Sequence, residues 1–451
     1  MLALLVRVFG TAGHEPKCGA GGGGYNEDDE ELAVRRLYEA APYPPRLHGR
    51  HQEGHRVLVE CLPDVVNAAL PELSLFAEAR FSRQRPLRIL VAGGGTGDPT
   101  LACAHSFHLA EIHVHIVHLD LSARSTNIAR QRVGNLLERS LADRITFVRG
   151  SIAAVAVAAA ASQSNSKRSQ NYWHSTTGED LDANNPRHAS DIKALFAQPF
   201  DYIHSTGVLH HSRSPEQSLR LLTSLLHQDG GMALWVYASP GRDGVHDFQR
   251  MMKILAPRTE EEVVDIRHVW GTTRTGECDE TITAARKRLR KKHAERLEVA
   301  WDLLANLPST NRLVRNPVLW NSVSGWLTQH EEALQSKDQD DKGEPRWDVR
   351  VSDMFLNPVD REFSVQNVVE WLAGANLEPA KWLDTESGNF DVNVLWNSEH
   401  VVEAVSGLDE VDRLALGELL QGTAVGHRVI ARKATNNKKS EVGIVPPMLM
   451  S

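Results

Sequence analysis

The stretch Leu87-Arg88-Ile89-Leu90-Val91-Ala92-Gly93-Gly94-Gly95-Thr96-Gly97-Asp98-Pro99-Thr100 constrains the fold of this chain more than any other. Its first half is an apolar run with β-branched residues, which predicts a strand at 87–92. The run breaks into glycines and resumes as Pro99-Thr100-Leu101-Ala102-Cys103-Ala104, with proline at an early position of a helix. Strand, glycine turn and helix form the entrance to a nucleotide-type site in an open α/β sheet. Glycines adopt positive φ and let a ligand come close to the backbone. The helix N-terminus presents unpaired N–H groups to an anionic group.

Spacing narrows the choice of ligand. The dinucleotide fingerprint G-x-G-x-x-G needs a third glycine where Asp98 stands, and no Gly-Lys-Ser/Thr ending of a phosphate loop is present. The glycines fall instead at 93, 95 and 97. The next strand is read at 112–119, in Ile112-His113-Val114-His115-Ile116-Val117-His118-Leu119-Asp120. It ends in an acid about 20 residues beyond the glycines, where a carboxylate can accept from both hydroxyls of a ribose. Further strands are read at 145–148, in Phe200-Asp201-Tyr202-Ile203-His204-Ser205-Thr206, and at 232–237.

These residues resemble the class I S-adenosylmethionine (SAM)-dependent methyltransferases, near the UbiE-type branch. The carriers are Val91-Ala92-Gly93-Gly94-Gly95-Thr96-Gly97, His118-Leu119-Asp120-Leu121-Ser122 and Gly207-Val208-Leu209-His210-His211. With them goes the segment 219–237, where Asp229-Gly230-Gly231 precedes Met232-Ala233-Leu234-Trp235-Val236-Tyr237. The resemblance covers roughly 85–240. It implies an α/β fold with a Rossmann-like seven-stranded methyltransferase sheet, last strand antiparallel, and a mainly helical cap insertion. It also implies SAM at the strand C-termini and methyl transfer. The glycine loop of Gly93, Gly94, Gly95, Thr96, Gly97 and Asp98 would then hold the methionine part. Asp120 would hold the ribose with Leu121 beside it, and Ser151 with Ile152 the adenine. Ser205 and Thr206 are the further cofactor-binding candidates.

The sequence departs from that pattern twice. Many members carry an acid two residues before the first motif glycine, where this chain has Val91, so a contact to the methionine amino group is missing or supplied elsewhere. Many carry Asp after the third strand, where this chain has Ser151; a hydroxyl can still hydrogen-bond adenine, with less charge assistance.

His210 and His211 follow the fourth strand, where such enzymes place substrate-facing residues. Methyl transfer is an in-line displacement, so the enzyme aligns the nucleophile and removes its proton where it carries one. Histidine titrates in the right range for the second task. His210, His211 and Tyr237 are the candidate catalytic residues, with Tyr43 a further one; the alternative for the histidines is to hold loop backbone. Asp353 and Arg361 either face the pocket from the cap or form a surface ion pair.

With 451 residues the chain is long enough for one large domain with insertions or for two. A hydrophobic fraction of 41% and a charged fraction of 24% suit an ordinary soluble protein, and a net charge of −8 argues against a general nucleic-acid binder. The four cysteines, Cys18, Cys61, Cys103 and Cys278, are too widely spaced for a disulfide framework or a zinc ribbon and suggest a reducing compartment. No apolar run reaches transmembrane length. A cytoplasmic location is expected, with mitochondrial or nuclear alternatives.

In chain order the expected organisation begins with a disordered stretch at 1–24. A helical segment at 25–84 follows, including a 55–80 amphipathic helical stretch; it closes the cofactor pocket through Tyr38-Glu39-Ala40-Ala41-Pro42-Tyr43-Pro44-Pro45-Arg46. The SAM-binding core spans 85–245, with a low-complexity insertion at 153–188 and a glycine-rich turn at 238–245. A helical cap fills 246–362, the core resumes at 363–434, and a flexible tail ends the chain at 435–451. His113, His115 and His118 share no metal-ligand spacing with an acid or cysteine, so no metal is expected. Arg286-Lys287-Arg288-Leu289-Arg290-Lys291-Lys292-His293 reads as a solvated helix face, or as a nuclear-import or RNA-contact segment.

The leading expectation is a SAM-dependent methyltransferase acting on a small molecule, with a protein substrate as an alternative and nucleic acid disfavoured. A second reading is a non-catalytic SAM- or partner-binding module. A third, a nicotinamide-dependent oxidoreductase, is disfavoured by Asp98.

Overall fold

The apolar run at the centre of the sequence becomes strand β1, Leu87–Ala92, and every one of its residues is buried. A computed structural model describes residues 29–46, 57–77, 80–160, 181–183, 185–271, 280–335, 346–383 and 399–434. The expected disordered start, residues 161–180 and 184 of the low-complexity insertion expected at 153–188, and the flexible tail lie outside the described residues; residues 153–160 of that insertion belong to the helix Ile152–Ala160.

The other strands are β2 (Val114–Asp120), β3 (Ile145–Arg149), β4 (Leu181–Asp182), β5 (Phe200–Thr206), β6 (Leu226–Tyr237), β7 (Leu377–Trp382) and β8 (Gly426–Lys433). They form one sheet in the order β4-β3-β2-β1-β5-β6-β8-β7. Strand β8 is antiparallel to both neighbours, and the other pairings are parallel. The sheet is therefore Rossmann-like with its last strand reversed, but among the described residues it has eight strands rather than seven. The extra strand, β4, is two residues long, lies within the stretch expected as the 153–188 insertion, and pairs with β3 at the edge.

Side chains alternate between two layers, as a sheet covered on both faces requires. Leu87, Ile89 and Val91 pack with the helices Asp98–Leu109 and Ala123–Leu136, while Leu90 and Ala92 pack with Pro215–Leu225 and Val365–Gly374. The last of these helices carries a full capping box between Ser364 and Asn367. The expected 55–80 helical stretch is instead broken into the turn Val59–Cys61, the helix Pro63–Ala69 and the turn Pro71–Leu73. Pro63 and Pro71 each open a new piece, since proline lacks the N–H that would continue the one before.

Between β6 and the helix Val365–Gly374 the chain builds a helical layer with its own core, including Phe248, Trp301, Val323, Trp326 and Phe355. It starts earlier than the sequence suggests. The 238–245 stretch is not a turn but the first half of the helix Ser239–Leu255. Its glycines serve close approach: a Cβ on Gly241 would lie 1.9 Å from the Ala424 carbonyl oxygen, and one on Gly244 would lie 2.4 Å from the Leu313 nitrogen. The helix Asp29–Ala40 ties this layer to the sheet. Leu32 packs with Ile266, Val269 and Leu289, while the Glu39 carboxylate accepts from the Ala123 N–H at 2.6 Å, capping the helix after β2.

The basic run at 286–293 lies on the helix Glu280–Ala305. It is not a uniformly solvated face: Leu289 is buried, Arg288 is bidentate to Asp265, and His293 hydrogen-bonds Ser352 at 3.0 Å. No helix among the described residues is long and apolar enough to cross a membrane.

Candidate cofactor and acceptor site

The glycine loop leaves β1 by pairing back onto β2: the N–H groups of Gly93 and Gly94 both donate to the Leu119 carbonyl, at 2.8 and 3.0 Å. Gly93, Gly95 and Gly97 all have positive φ, the conformation for which glycine is the default residue. Gly97 is also the N-cap of the helix Asp98–Leu109, and a Cβ there would lie 2.9 Å from that of Ala129. Asp120 closes the arrangement from the end of β2. Its Oδ2 accepts the Gly95 N–H at 2.7 Å, and its Oδ1 accepts the Ser122 N–H at 2.8 Å. Burial pushes the carboxyl up to about 6, against the opposing pull of those two N–H groups.

A cavity of about 670 Å³ opens above this bend. Of the residues singled out from sequence, Gly93, Gly94, Gly95, Asp98, Asp120, Leu121, Ser151, Ile152, Thr206 and His211 line it. Others sit differently. Thr96 is buried, donates its hydroxyl to the Pro44 carbonyl at 2.7 Å and its N–H to the Tyr43 carbonyl, and so anchors the segment that covers the loop. Asp98 reaches the cavity, but its carboxylate is paired with Arg46 and with Arg132 at 2.7 Å. Those guanidinium groups outweigh burial and hold its carboxyl below the usual range. Ser205 is fully buried under the strand ends. The Ser151 hydroxyl accepts from the Ala154 N–H at 3.1 Å, which leaves its own proton to donate.

The two adjacent histidines have separate environments. His211 directs Nδ1 at the Val359 carbonyl at 2.7 Å, which places the proton on Nδ1 and leaves Nε2 as the basic nitrogen of a ring that lines the cavity. His210 is fully buried in an aromatic cluster, 3.8 Å from the Tyr237 ring and 4.1 Å from His211 between centroids. Burial, with His211 and Arg242 nearby, drives its pKa well below the normal imidazole value, so it is neutral. Tyr237 lies under the Arg242 guanidinium at 3.5 Å and faces a second cavity of about 670 Å³.

That second cavity lies between the strand ends and the helical layer. Tyr43, Pro44 and Trp235 line both cavities, so the two adjoin. Trp326 and Asp353 belong to its far wall. Asp353 is no surface residue: it is 7% exposed, and Tyr38, which lines the first cavity, donates its hydroxyl to Asp353 Oδ1 at 2.9 Å. Arg361, in contrast, holds the backbone carbonyls of Ser212 and Arg213.

Tyr38 is read from the sequence only as part of the pocket-closing segment, and Glu60 is not singled out. Glu60 gives one signal there, an acid inside the apolar run Val57-Leu58-Val59-Glu60-Cys61-Leu62. His115 and His118 fill core positions, bonded to Thr146 at 3.1 Å and Thr100 at 2.8 Å, and burial lowers both to about 3.

Residues 65–273 match a family model described as a methyltransferase domain. An uncharacterised protein of Synechococcus sp. is 24% identical over 396 residues, covering 87% of this chain and 69% of its own length. Among solved structures, the chain is similar to PKMT2 from Rickettsia typhi in complex with AdoHcy, at 12% identity and a TM-score of 0.45, over 87% of this chain and 55% of that one. It is also similar to the CcbJ methyltransferase from Streptomyces caelestis, at 14% identity and a TM-score of 0.24, over 46% of this chain and 61% of that one. The chain thus spans little more than half the length of the first of these structures.

Proposed function

Because residues 65–273 match a methyltransferase-domain model, we propose that the protein is a class I methyltransferase that transfers a methyl group from SAM to an acceptor held under the helical layer. The observation that carries this reading is the Asp120 carboxylate, fixed on the Gly95 N–H in the wall of the first cavity. Each of its oxygens holds one backbone N–H and keeps a lone pair, so the pair can accept from a vicinal diol.

The residues present fit the group. Asp120 would hold the ribose, Gly93 to Gly95 would let the amino-acid part lie against the backbone, and Ser151 with Ile152 would meet the adenine edge and face. When bound, SAM supplies a methyl group on a cationic sulfur, ready for in-line displacement. Tyr43 and Pro44 cover the loop, which excludes water from one side. The second cavity is the space for the acceptor, with the Trp235 and Tyr237 rings aligning it. His211, through Nε2, takes the acceptor's proton as the bond forms. We read the acceptor as a small molecule, because the chamber is bounded by side chains from both layers.

The test is incubation of the protein with SAM labelled at the methyl group and a metabolite extract, followed by detection of labelled products. The proposal expects a labelled small molecule that is absent with Asp120→Ala. Tight SAM binding with no labelled product, across metabolite and protein fractions, would support the non-catalytic reading instead.

A further inference from the structure

The acid missing from position 91 has a counterpart one strand over. Val91 of β1 is the register partner of His204 of β5, so the two side chains leave the same face of the sheet. Glu60, from the turn Val59–Cys61, lies against that histidine: its Oε1 is 3.4 Å from His204 Nε2, and its Oε2 is 3.6 Å from Arg428 Nε of β8. Glu60 is only 1% exposed, yet it lines the first cavity, as Arg428 does. Among the described residues, the buried Glu60 Oε2 makes no hydrogen bond, and neither does the buried His204 Nε2.

The turn is pinned in place. Tyr202 donates its hydroxyl to the Glu60 carbonyl at 2.6 Å, and Cys61 Sγ lies 3.1 Å from Cys103 Sγ on the helix that follows the glycine loop. Burial pushes the Glu60 carboxyl up, but His204 and Arg428 outweigh it and hold it below the usual range. An ionised carboxylate this deep, with one oxygen lacking a hydrogen bond, is costly unless a further partner completes it.

Resting on the SAM reading above, we propose that Glu60 receives the primary ammonium of the cofactor's amino-acid end, doing from outside the glycine motif what Val91 cannot. His204 and Arg428 are positioning residues that fix the carboxylate, and Arg428 brings the opposite charge to the same wall for a zwitterionic ligand. An ammonium has three donors, and the open Glu60 Oε2 is an acceptor for one of them.

The experiment compares two ligands by calorimetry: S-adenosylhomocysteine, which has the amino-acid end, and 5′-methylthioadenosine, which has the same nucleoside without it. Wild type should prefer the first. In Glu60→Gln, which keeps size and shape, affinity for S-adenosylhomocysteine should fall by about 10- to 100-fold, while that for 5′-methylthioadenosine is retained and reports an intact pocket. An unchanged preference between the two ligands overturns the inference, whether both affinities fall together or neither moves. Such a result leaves the SAM reading standing, since both ligands still bind wild type; binding of neither ligand by wild type overturns the reading and the inference together.

Discussion

The hydroxyl of Tyr38 donates to Asp353 across 315 residues of chain, joining the N-terminal helix to the helical layer where the two cavities adjoin. Asn357 donates to the same hydroxyl at 3.2 Å. Burial raises the Asp353 carboxyl, with His211 and Tyr38 pulling the other way, so this acid depends on its hydrogen bonds. Tyr38→Phe removes one donor and one acceptor from a buried site and should cost about 1–3 kcal/mol in chemical denaturation. A loss below about 0.5 kcal/mol would mean that the contact does not hold the layers together.

His211 and His210 should separate in mutagenesis. His211→Asn removes the basic Nε2 from the cavity wall and should lower kcat by about 10²- to 10⁴-fold, with little change in SAM affinity. His210→Phe replaces a buried ring whose nitrogens make no hydrogen bonds among the described residues, so folding stability should be unchanged or improved. Steady-state kinetics and denaturation measure the two effects. The assignment fails if His211→Asn keeps full turnover.

Two helical glycines should respond with opposite sign. Gly244→Ala forces a Cβ against the Leu313 backbone and should destabilise by about 1–3 kcal/mol. A Cβ added at Gly325, in the helix Pro317–Gln335, would meet nothing within 4 Å. Gly325→Ala should therefore stabilise by about 0.5–1 kcal/mol. Melting temperatures of both variants check the contrast.

The Asp120 carboxyl, raised to about 6 by burial, sets a pH dependence. The folded protein holds this proton more tightly than the unfolded chain. The associated stability is therefore fully present below the unfolded carboxyl range, near 4, and is lost as pH rises through about 6. Ribose binding has the opposite sense, because the ionised form is the better acceptor: affinity for S-adenosylhomocysteine should weaken as pH falls below about 6. Asp120→Asn should flatten both dependences between pH 4 and 7, as read by thermal denaturation and titration calorimetry.

What could be read from sequence was local. The apolar run at 87–92, the glycines that follow and the acid at 120 lie within 34 residues and state their own geometry. The capping box at Ser364 is equally local. Gly241 and Gly244 misled because a glycine needed for close packing has the same letter as one needed for turning. Glu60 and Tyr38 gained their meaning only through partners at 204, 428 and 353, which the sheet order and the helical layer bring together. The eighth strand was hidden because two residues carry no periodicity.

The most direct measurement is calorimetric titration of S-adenosylhomocysteine into wild type and Asp120→Ala at neutral pH, with circular dichroism on both. The account predicts one site in wild type, and an affinity about 100-fold lower in the variant at unchanged helix and strand content. Equal affinity in the two proteins, or no binding by wild type, would contradict it.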